Sequence, residues 1–153
     1  MQLDDDIIAP PAPPYTYLGV AESILTGVKI MSEHSGPGLA FPLAAAHTLE
    51  CALKAYLSRD GNDGRLKEPN LRHNIKRLWE TCVNEGLDLP DPPHWALNLS
   101  GIHDKPYYLR YSTGVHAIAT PAPGPTAIAL SDVVAKVRDA LLDYRKAPET
   151  RSS

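Results

Sequence analysis

Three ionisable side chains in the middle of the chain have a spacing that places them on one face of a helix. His47, Glu50 and Lys54 are separated by three and four residues, and Ser58 continues the series. Residues three and four apart are neighbours on a helix surface, and Glu50 before Lys54 is the favourable order for an ion pair. Together with His73, these side chains predict a polar cluster between two helices.

Such a cluster has one functional and one structural interpretation. Lys54, His73 and Arg77 could bind a small anionic ligand or a phosphate group, because they offer positively charged or hydrogen-bonding groups. Alternatively, the same residues form an ordinary hydrogen-bond network between helices, or a solvated face. An exposed Glu–Lys pair contributes little to stability, so the spacing alone leaves both interpretations open.

The histidines give no sign of a dedicated metal site. The six of them include no HExxH motif and no pair separated by three residues. His103-Asp104 is a dipeptide found in metal phosphohydrolases, but the further ligands of such a site are missing. Gly36-Pro37-Gly38 lacks the lysine and the preceding strand of a phosphate-binding loop. We therefore expect no metal and no cofactor.

A group of aromatic residues follows later in the chain. Tyr107, Tyr108 and Tyr111 flank Arg110. These rings could stack on bases, as they do in proteins that bind single strands. They could equally pack a hairpin against the rest of the protein, and the sequence does not separate the two.

Composition limits the classes of partner. The net charge of −3 gives no general attraction to nucleic acid or to an anionic membrane, so a nucleic-acid site would be a local patch. Cys51 and Cys82 fall in predicted helices and are expected to be small buried side chains. No apolar stretch is long enough to span a membrane, and the N-terminus is acidic where a signal peptide is basic. These features predict a cytoplasmic protein.

The segments that would position these residues are mostly helical. Residues 1–14 are an acidic, proline-rich arm, 15–147 a helical domain and 148–153 a polar tail. Apolar residues recur at helical spacing in five segments, namely 17–33, 39–58, 70–85, 93–102 and 131–146. The fold class is therefore mainly α: an up-and-down bundle of about five helices, with a small extended or hairpin insertion at 107–120.

Local signals predict where several helices begin and end. Asn70 is expected to cap the third helix at its start, and Gly86 to follow its end. Ser131-Asp132 is expected to cap the last helix. The preceding Pro121-Ala122-Pro123-Gly124-Pro125 is expected to be a rigid connector outside that helix.

Two blocks of sequence resemble the HEPN family of helical bundles. They are Ala46-His47-Thr48-Leu49-Glu50-Cys51-Ala52-Leu53-Lys54-Ala55-Tyr56-Leu57 and, after a loop, His73-Asn74-Ile75-Lys76-Arg77-Leu78. Leu109-Arg110-Tyr111 is similar to an arginine–tyrosine element of some members. The resemblance covers about residues 39–111, and it implies a dimeric bundle, in a toxin–antitoxin or defence setting.

Many HEPN proteins are metal-independent ribonucleases with an Arg-x(4–6)-His motif at a dimer interface, and Arg110 and His116 have that spacing. The imidazole would take the 2′-hydroxyl proton while the guanidinium stabilises the charged phosphate. A three-residue loop at Ser112-Thr113-Gly114 would set Arg110 opposite His116, whereas a two-residue turn would set Tyr111 there.

Three functions follow as expectations. The first is a binding module for nucleic acid, a nucleotide or a protein partner, with Lys54, His73, Arg77 and Tyr111 as ligand-binding residues. The second is a metal-independent endoribonuclease using Arg110 and His116. The third is a structural dimeric adaptor that docks a partner through its N-terminal arm.

Overall fold

Five α-helices make up most of the described chain, which covers residues 12–34, 36, 38–105, 107–108 and 118–147 of this computed structural model. They are α1 (Tyr15–Ser32), α2 (Ala40–Leu57), α3 (Ile75–Asn84), α4 (His94–His103) and α5 (Pro123–Lys146), with a 3₁₀ helix at Gly64–Lys67. No strand occurs in these ranges. The prediction of a mainly α bundle is confirmed, and the insertion predicted at 107–120 lies largely outside the described residues.

The helix α2 forms the centre of the bundle. It packs against each of the other four α-helices, while α1 also contacts α5 and α3 also contacts α4. Its leucines at positions 49 and 53 are fully buried, as the helical pattern predicts. Alanines at 45, 46, 52 and 55 are fully buried too, and small side chains let neighbouring helices approach closely. Several polar residues of α2, among them Glu50 and Lys54, are buried in this packing as well.

The start of α3 differs from the prediction, and the difference matters for the site. The helix begins at Ile75 and not at Asn70, because the N–H groups of Leu71 and Arg72 donate to the carbonyl of Glu68 in turns. The cap is Asn74, whose Oδ1 accepts a 3.0 Å hydrogen bond from the N–H of Arg77. His73 thus lies just before the helix.

The end of α3 agrees with the prediction. Gly86 follows the last helical turn with φ of 103°, a left-handed conformation that glycine adopts without strain. The N–H of Gly86 donates to the carbonyl of Val83, and the N–H of Leu87 donates to that of Cys82. These two bonds form a Schellman motif, which satisfies carbonyls at the helix end.

The last helix is longer than predicted, since α5 begins at Pro123 and not at Ser131. Pro123 and Pro125 lie in its first turn, where a missing N–H removes no helical hydrogen bond. The proposed connector is therefore partly the helix start. The hydroxyl of Ser131 donates to the carbonyl of Ala127 inside the helix, so it is not a cap.

The two cysteines are free and buried, as expected from their place in helices. The thiol of Cys82 donates to the carbonyl of Leu53, which links α3 to α2. Burial raises the pKa of the Cys82 thiol well above its ordinary value, so it stays protonated.

Candidate functional site

Glu50 lies at the centre of the predicted polar cluster, and only 3% of the residue is exposed. Its Oε1 is 2.7 Å from Nδ1 of His73 and 3.3 Å from Nζ of Lys54. Its Oε2 is 3.4 Å from Nε2 of His103 and 3.6 Å from Nδ1 of His47. One buried carboxylate is therefore shared by three imidazoles and an ammonium group.

Three parts of the fold bring this cluster together. The helix α2 supplies His47, Glu50 and Lys54 from one face, with helical spacing of three and four residues. His73 reaches in from the turn that the Asn74 cap holds in place before α3. His103 is the last residue of α4. The geometry depends on tertiary packing, because the three elements meet only in the folded bundle.

The charge of Glu50 is fixed by its neighbours. Burial by itself would raise the pKa of this carboxyl. The hydrogen bonds from His103 and His47 and the charge of Lys54 outweigh burial, so the pKa of Glu50 lies well below its usual range. Glu50 is therefore ionised at neutral pH, and the cluster contains a permanent negative charge.

His47 forms the exposed edge of the cluster, with 43% of its side chain accessible. Its Nε2 lies 3.8 Å from Sγ of Cys51, while Nδ1 faces Glu50. The contact with Cys51 and then the hydrogen bond with Glu50 raise the pKa of His47 above its ordinary value of 6.5, although partial burial acts in the opposite direction. A protonated His47 places a positive charge at the exposed edge of the cluster.

Within the described residues, His103 carries a buried polar atom without a hydrogen-bond partner. This atom is Nδ1, and the side chain is 1% exposed. Because Nε2 faces the ionised carboxylate of Glu50, the hydrogen of a neutral ring is assigned to Nε2. The Nδ1 atom is then an unused acceptor. Leaving a buried polar atom without a partner is costly, and such atoms often mark functional positions.

An apolar groove adjoins the cluster. It has a volume of about 450 Å³ and is lined by Ile24, Ala40, Leu43, Ala44, His47 and His103. Four of these residues are apolar, and the two histidines also contact Glu50. The groove therefore has mainly apolar walls, and its polar lining residues are the two histidines that belong to the Glu50 cluster.

The ring of His73 also makes two edge-on contacts with other rings. The ring of His73 lies edge-on to that of His103 at 6.1 Å and edge-on to that of Tyr107 at 6.4 Å between centroids. Tyr107 has a φ of 64°, which is uncommon for a residue with a side chain. The first of the predicted tyrosines is thus part of the site.

The sequence-predicted site residues have different positions. Lys54 and His73 both contact Glu50, so the structure brings these two together. Arg77 is exposed, and it is not among the described residues that bond to Glu50. Arg110, Tyr111 and His116 lie outside the described residues. The face carrying Glu50 and Lys54 is buried, which excludes a solvated face.

His103 is a member of this cluster that the sequence pattern does not indicate. In the sequence it stands out only as half of a dipeptide with Asp104, whose side chain accepts from the N–H of Lys105. His103 is 53 residues from Glu50, and no local spacing indicates that the end of α4 reaches α2. Glu50, His73 and His103 together offer three metal-binding atoms within 4.8 Å of one another.

Comparisons with protein-family models, curated proteins and solved structures gave no match for this chain. Among the described helices, none has the length and apolar character needed to cross a membrane. The fold and the site together define a five-helix bundle, within the described ranges, that is built around a buried carboxylate–histidine cluster.

Proposed function

We propose that this protein is a binding module for a nucleotide, either free or as part of RNA, and that the ligand lies in the groove beside Glu50. The observation that carries this proposal is the apolar groove beside the buried Glu50 cluster, because two of the residues that line it, His47 and His103, also contact Glu50. Such a site should bind most tightly a ligand with a flat apolar body and a few hydrogen-bonding groups.

The groove suits the base and sugar of such a ligand. Its volume of about 450 Å³ is in the range of small-molecule sites, and its walls are aliphatic. His103 lines the groove, and within the described residues its Nδ1 has no donor, so an amino group of a base or a ribose hydroxyl is the kind of group that would complement it. Apolar walls bury the face of the base, while the histidine fixes its orientation.

The exposed edge of the site suits a phosphate. His47 lines the groove and reaches solvent, so a phosphate oxygen can approach its ring. Lys54, only 9% exposed, lies behind His47 on the same face of α2 and offsets the charge of Glu50. The positive charge of a protonated His47 attracts a phosphate group, even though both ring nitrogens face protein atoms.

Titration calorimetry in the presence of a chelator tests this function. AMP, adenosine and a short single-stranded RNA are titrated into the protein at two salt concentrations. We expect AMP to bind more tightly than adenosine, and salt to weaken the binding of RNA more than that of AMP. If neither AMP nor RNA binds to the wild-type protein, the proposal is wrong.

Two exposed leucines provide a matched pair of variants. Leu43 lines the groove and is 37% exposed, whereas Leu97 on α4 is 39% exposed and does not line it. A carboxylate in the groove repels phosphate and loses hydration on binding, so Leu43→Asp should weaken AMP binding roughly tenfold. Leu97→Asp should leave binding unchanged. Equal effects of the two substitutions would contradict the groove as the site.

The endoribonuclease stays a second proposal, because the HEPN resemblance implies it. It depends on Arg110 and His116, and an enzyme that cleaves RNA also needs a site that binds nucleotides. This second proposal predicts cleavage of RNA in excess chelator, and loss of that cleavage in both Arg110→Ala and His116→Ala. Cleavage that survives either substitution would exclude this mechanism.

Membership of the HEPN family, a homodimer and a toxin–antitoxin or defence setting likewise stay proposals. The helical bundle is consistent with the family, and sedimentation of the purified protein at several concentrations tests the dimer. A dimer that binds neither nucleotide nor RNA would favour the adaptor that docks a protein partner.

A further inference from the structure

We propose that Glu50, His73 and His103 form a binding site for a divalent transition-metal ion, with Zn²⁺ as the best-suited ion. The metal site shares His103 with the groove but uses its Nε2 and not its Nδ1, and its test contains no nucleotide, so it is judged separately from nucleotide binding. The sequence leads us to expect no metal because the histidines are far apart along the chain, whereas the fold brings two of them next to Glu50.

The donor set is one that such ions prefer. Two imidazole nitrogens and one carboxylate oxygen occur together in zinc sites that keep a fourth position for water. The softer imidazole donors favour Zn²⁺ and its neighbours over Mg²⁺ and Ca²⁺, which take mainly oxygen ligands. The three donor atoms here lie within 4.8 Å of one another.

Each of the two histidines lies close to a different oxygen of Glu50, and these two distances can be compared with those of a metal site. Ligand atoms about 2.1 Å from a tetrahedral ion are about 3.4 Å apart. Oε2 of Glu50 and Nε2 of His103 already lie 3.4 Å apart. Oε1 of Glu50 and Nδ1 of His73 are 2.7 Å apart, which is a hydrogen-bond distance, so this pair must open slightly when the ion replaces the shared proton.

The three side chains are held before any ion binds. Glu50 and His103 are almost fully buried, so the packing of α2 against α4 fixes them. His73 is 26% exposed and directly precedes the Asn74 cap, so it offers a route for the ion from solvent. Ligands that are already positioned lose little conformational entropy when they bind.

Lys54 is the competitor of the ion. Its Nζ lies 3.3 Å from Oε1 of Glu50, and a second positive charge at this distance opposes a cation. Metal binding through Glu50 therefore predicts that removing the charge of Lys54 strengthens binding. A purely structural network predicts no such gain, so this variant separates the two interpretations.

The test measures the binding of Zn²⁺ alone to the full chain, by competition with a chromophoric chelator and without nucleotide. We expect one ion per protein. His73→Asn should weaken binding by at least about tenfold, while His94→Asn, which changes an exposed histidine at the start of α4, should have no effect. Lys54→Met should tighten binding about tenfold, because the competing charge is lost.

The possible outcomes are decisive. The proposal is overturned if wild-type protein binds no Zn²⁺, or if His73→Asn and His94→Asn bind it equally well, which would indicate an adventitious ion only. Glu50→Gln should also abolish binding. Should that variant unfold, the His73 and Lys54 variants decide the question, since neither of these side chains is at the centre of the core. The nucleotide titrations contain chelator, so the two proposals fail separately.

Discussion

Two carboxylates anchor opposite kinds of cluster in this bundle, and comparing them shows which one is suited to function. Glu85, at the end of α3, accepts hydrogen bonds of 2.6 and 2.9 Å from Arg65 and one of 3.1 Å from Arg59. Glu50 is surrounded by three imidazoles and a lysine. Both have a pKa held below its ordinary value, yet the partners differ in chemistry.

Glu85 forms a fixed clamp. Arginine stays protonated at any ordinary pH and its planar group matches a carboxylate. Arg59 also lies over the ring of Tyr56 at 4.4 Å, and the hydroxyl of Tyr56 donates to the backbone carbonyl of Glu85. These contacts join the ends of α2 and α3. Nothing in this clamp exchanges a proton near neutral pH, so we assign it a structural role.

The cluster around Glu50 is different because its partners can change their protonation. An imidazole gains or loses a proton near neutral pH and can also bind a metal ion. Moreover, among the described residues one atom of this cluster, Nδ1 of His103, has no hydrogen-bond partner. Most buried polar atoms in proteins have one. This difference favours the Glu50 cluster as the functional site.

The largest expected effect of a single substitution is that of Glu50→Ala. It leaves Lys54 and the neighbouring histidines beside a cavity without their counter-charge, and losing one partner of a buried ion pair costs about 3–5 kcal/mol. Urea unfolding measures the change. Glu80→Ala, which removes the partner of Lys76 in an exposed pair, is the control and should cost below about 1 kcal/mol. Similar losses in the two variants would mean that Glu50 does not hold the cluster together.

Glu85→Ala should have an intermediate effect. The carboxylate is 26% exposed, so water can hydrate Arg59 and Arg65 after it is removed. Hydrogen bonds to charged groups contribute about 1.5–3 kcal/mol, and partial exposure reduces this, so we expect a loss of about 1–2 kcal/mol in the free energy of unfolding. A loss larger than that of Glu50→Ala would reverse the comparison.

The sequence predicted the helices better than it predicted the cluster, and the reason is physical. The seam of α2 is visible as leucines at helical spacing, and Lys54 and His73 were placed correctly beside Glu50. The contact of His103 with Glu50 depends on how α4 crosses α2, and no local pattern encodes that. The proline run before α5 was misread because proline is compatible with both a connector and a first helical turn.

A smaller effect tests how His73 is positioned. Asn70 and Asn74 are both of a residue type that commonly caps helices. Only Asn74 accepts a hydrogen bond from the backbone N–H of Arg77. Asn74→Ala should lower the free energy of unfolding by about 1 kcal/mol, whereas Asn70→Ala, at an exposed turn, should change it little. If the cap also orients His73, Asn74→Ala should weaken Zn²⁺ binding and Asn70→Ala should not. Equal stability of the two variants would contradict this cap.

The smallest expected effect is a loss of stability as the pH rises above neutrality. We expect it for the Glu50 cluster, which contains histidines, and not for the Glu85 cluster, whose partners are arginines. The pKa of His47 is raised in the folded protein, so the stabilisation it provides is fully present below 6.5, the unfolded value. That stabilisation is lost as the pH rises through the folded value. Because 43% of the side chain is exposed, solvent screens much of the interaction, and the effect should be modest.

Urea unfolding at pH 6 and at higher pH measures this dependence. The decrease in stability should be smaller in His47→Gln than in the wild type, and it should be unchanged in Glu85→Ala, whose arginine partners keep their charge over that range. Both carboxylates have lowered pKa values, so their contribution is instead lost in acid, as the pH falls below about 4.5. If His47→Gln loses as much stability with rising pH as the wild type does, the raised pKa of His47 is not coupled to folding. The positive charge expected at the exposed edge of the site would then not come from His47.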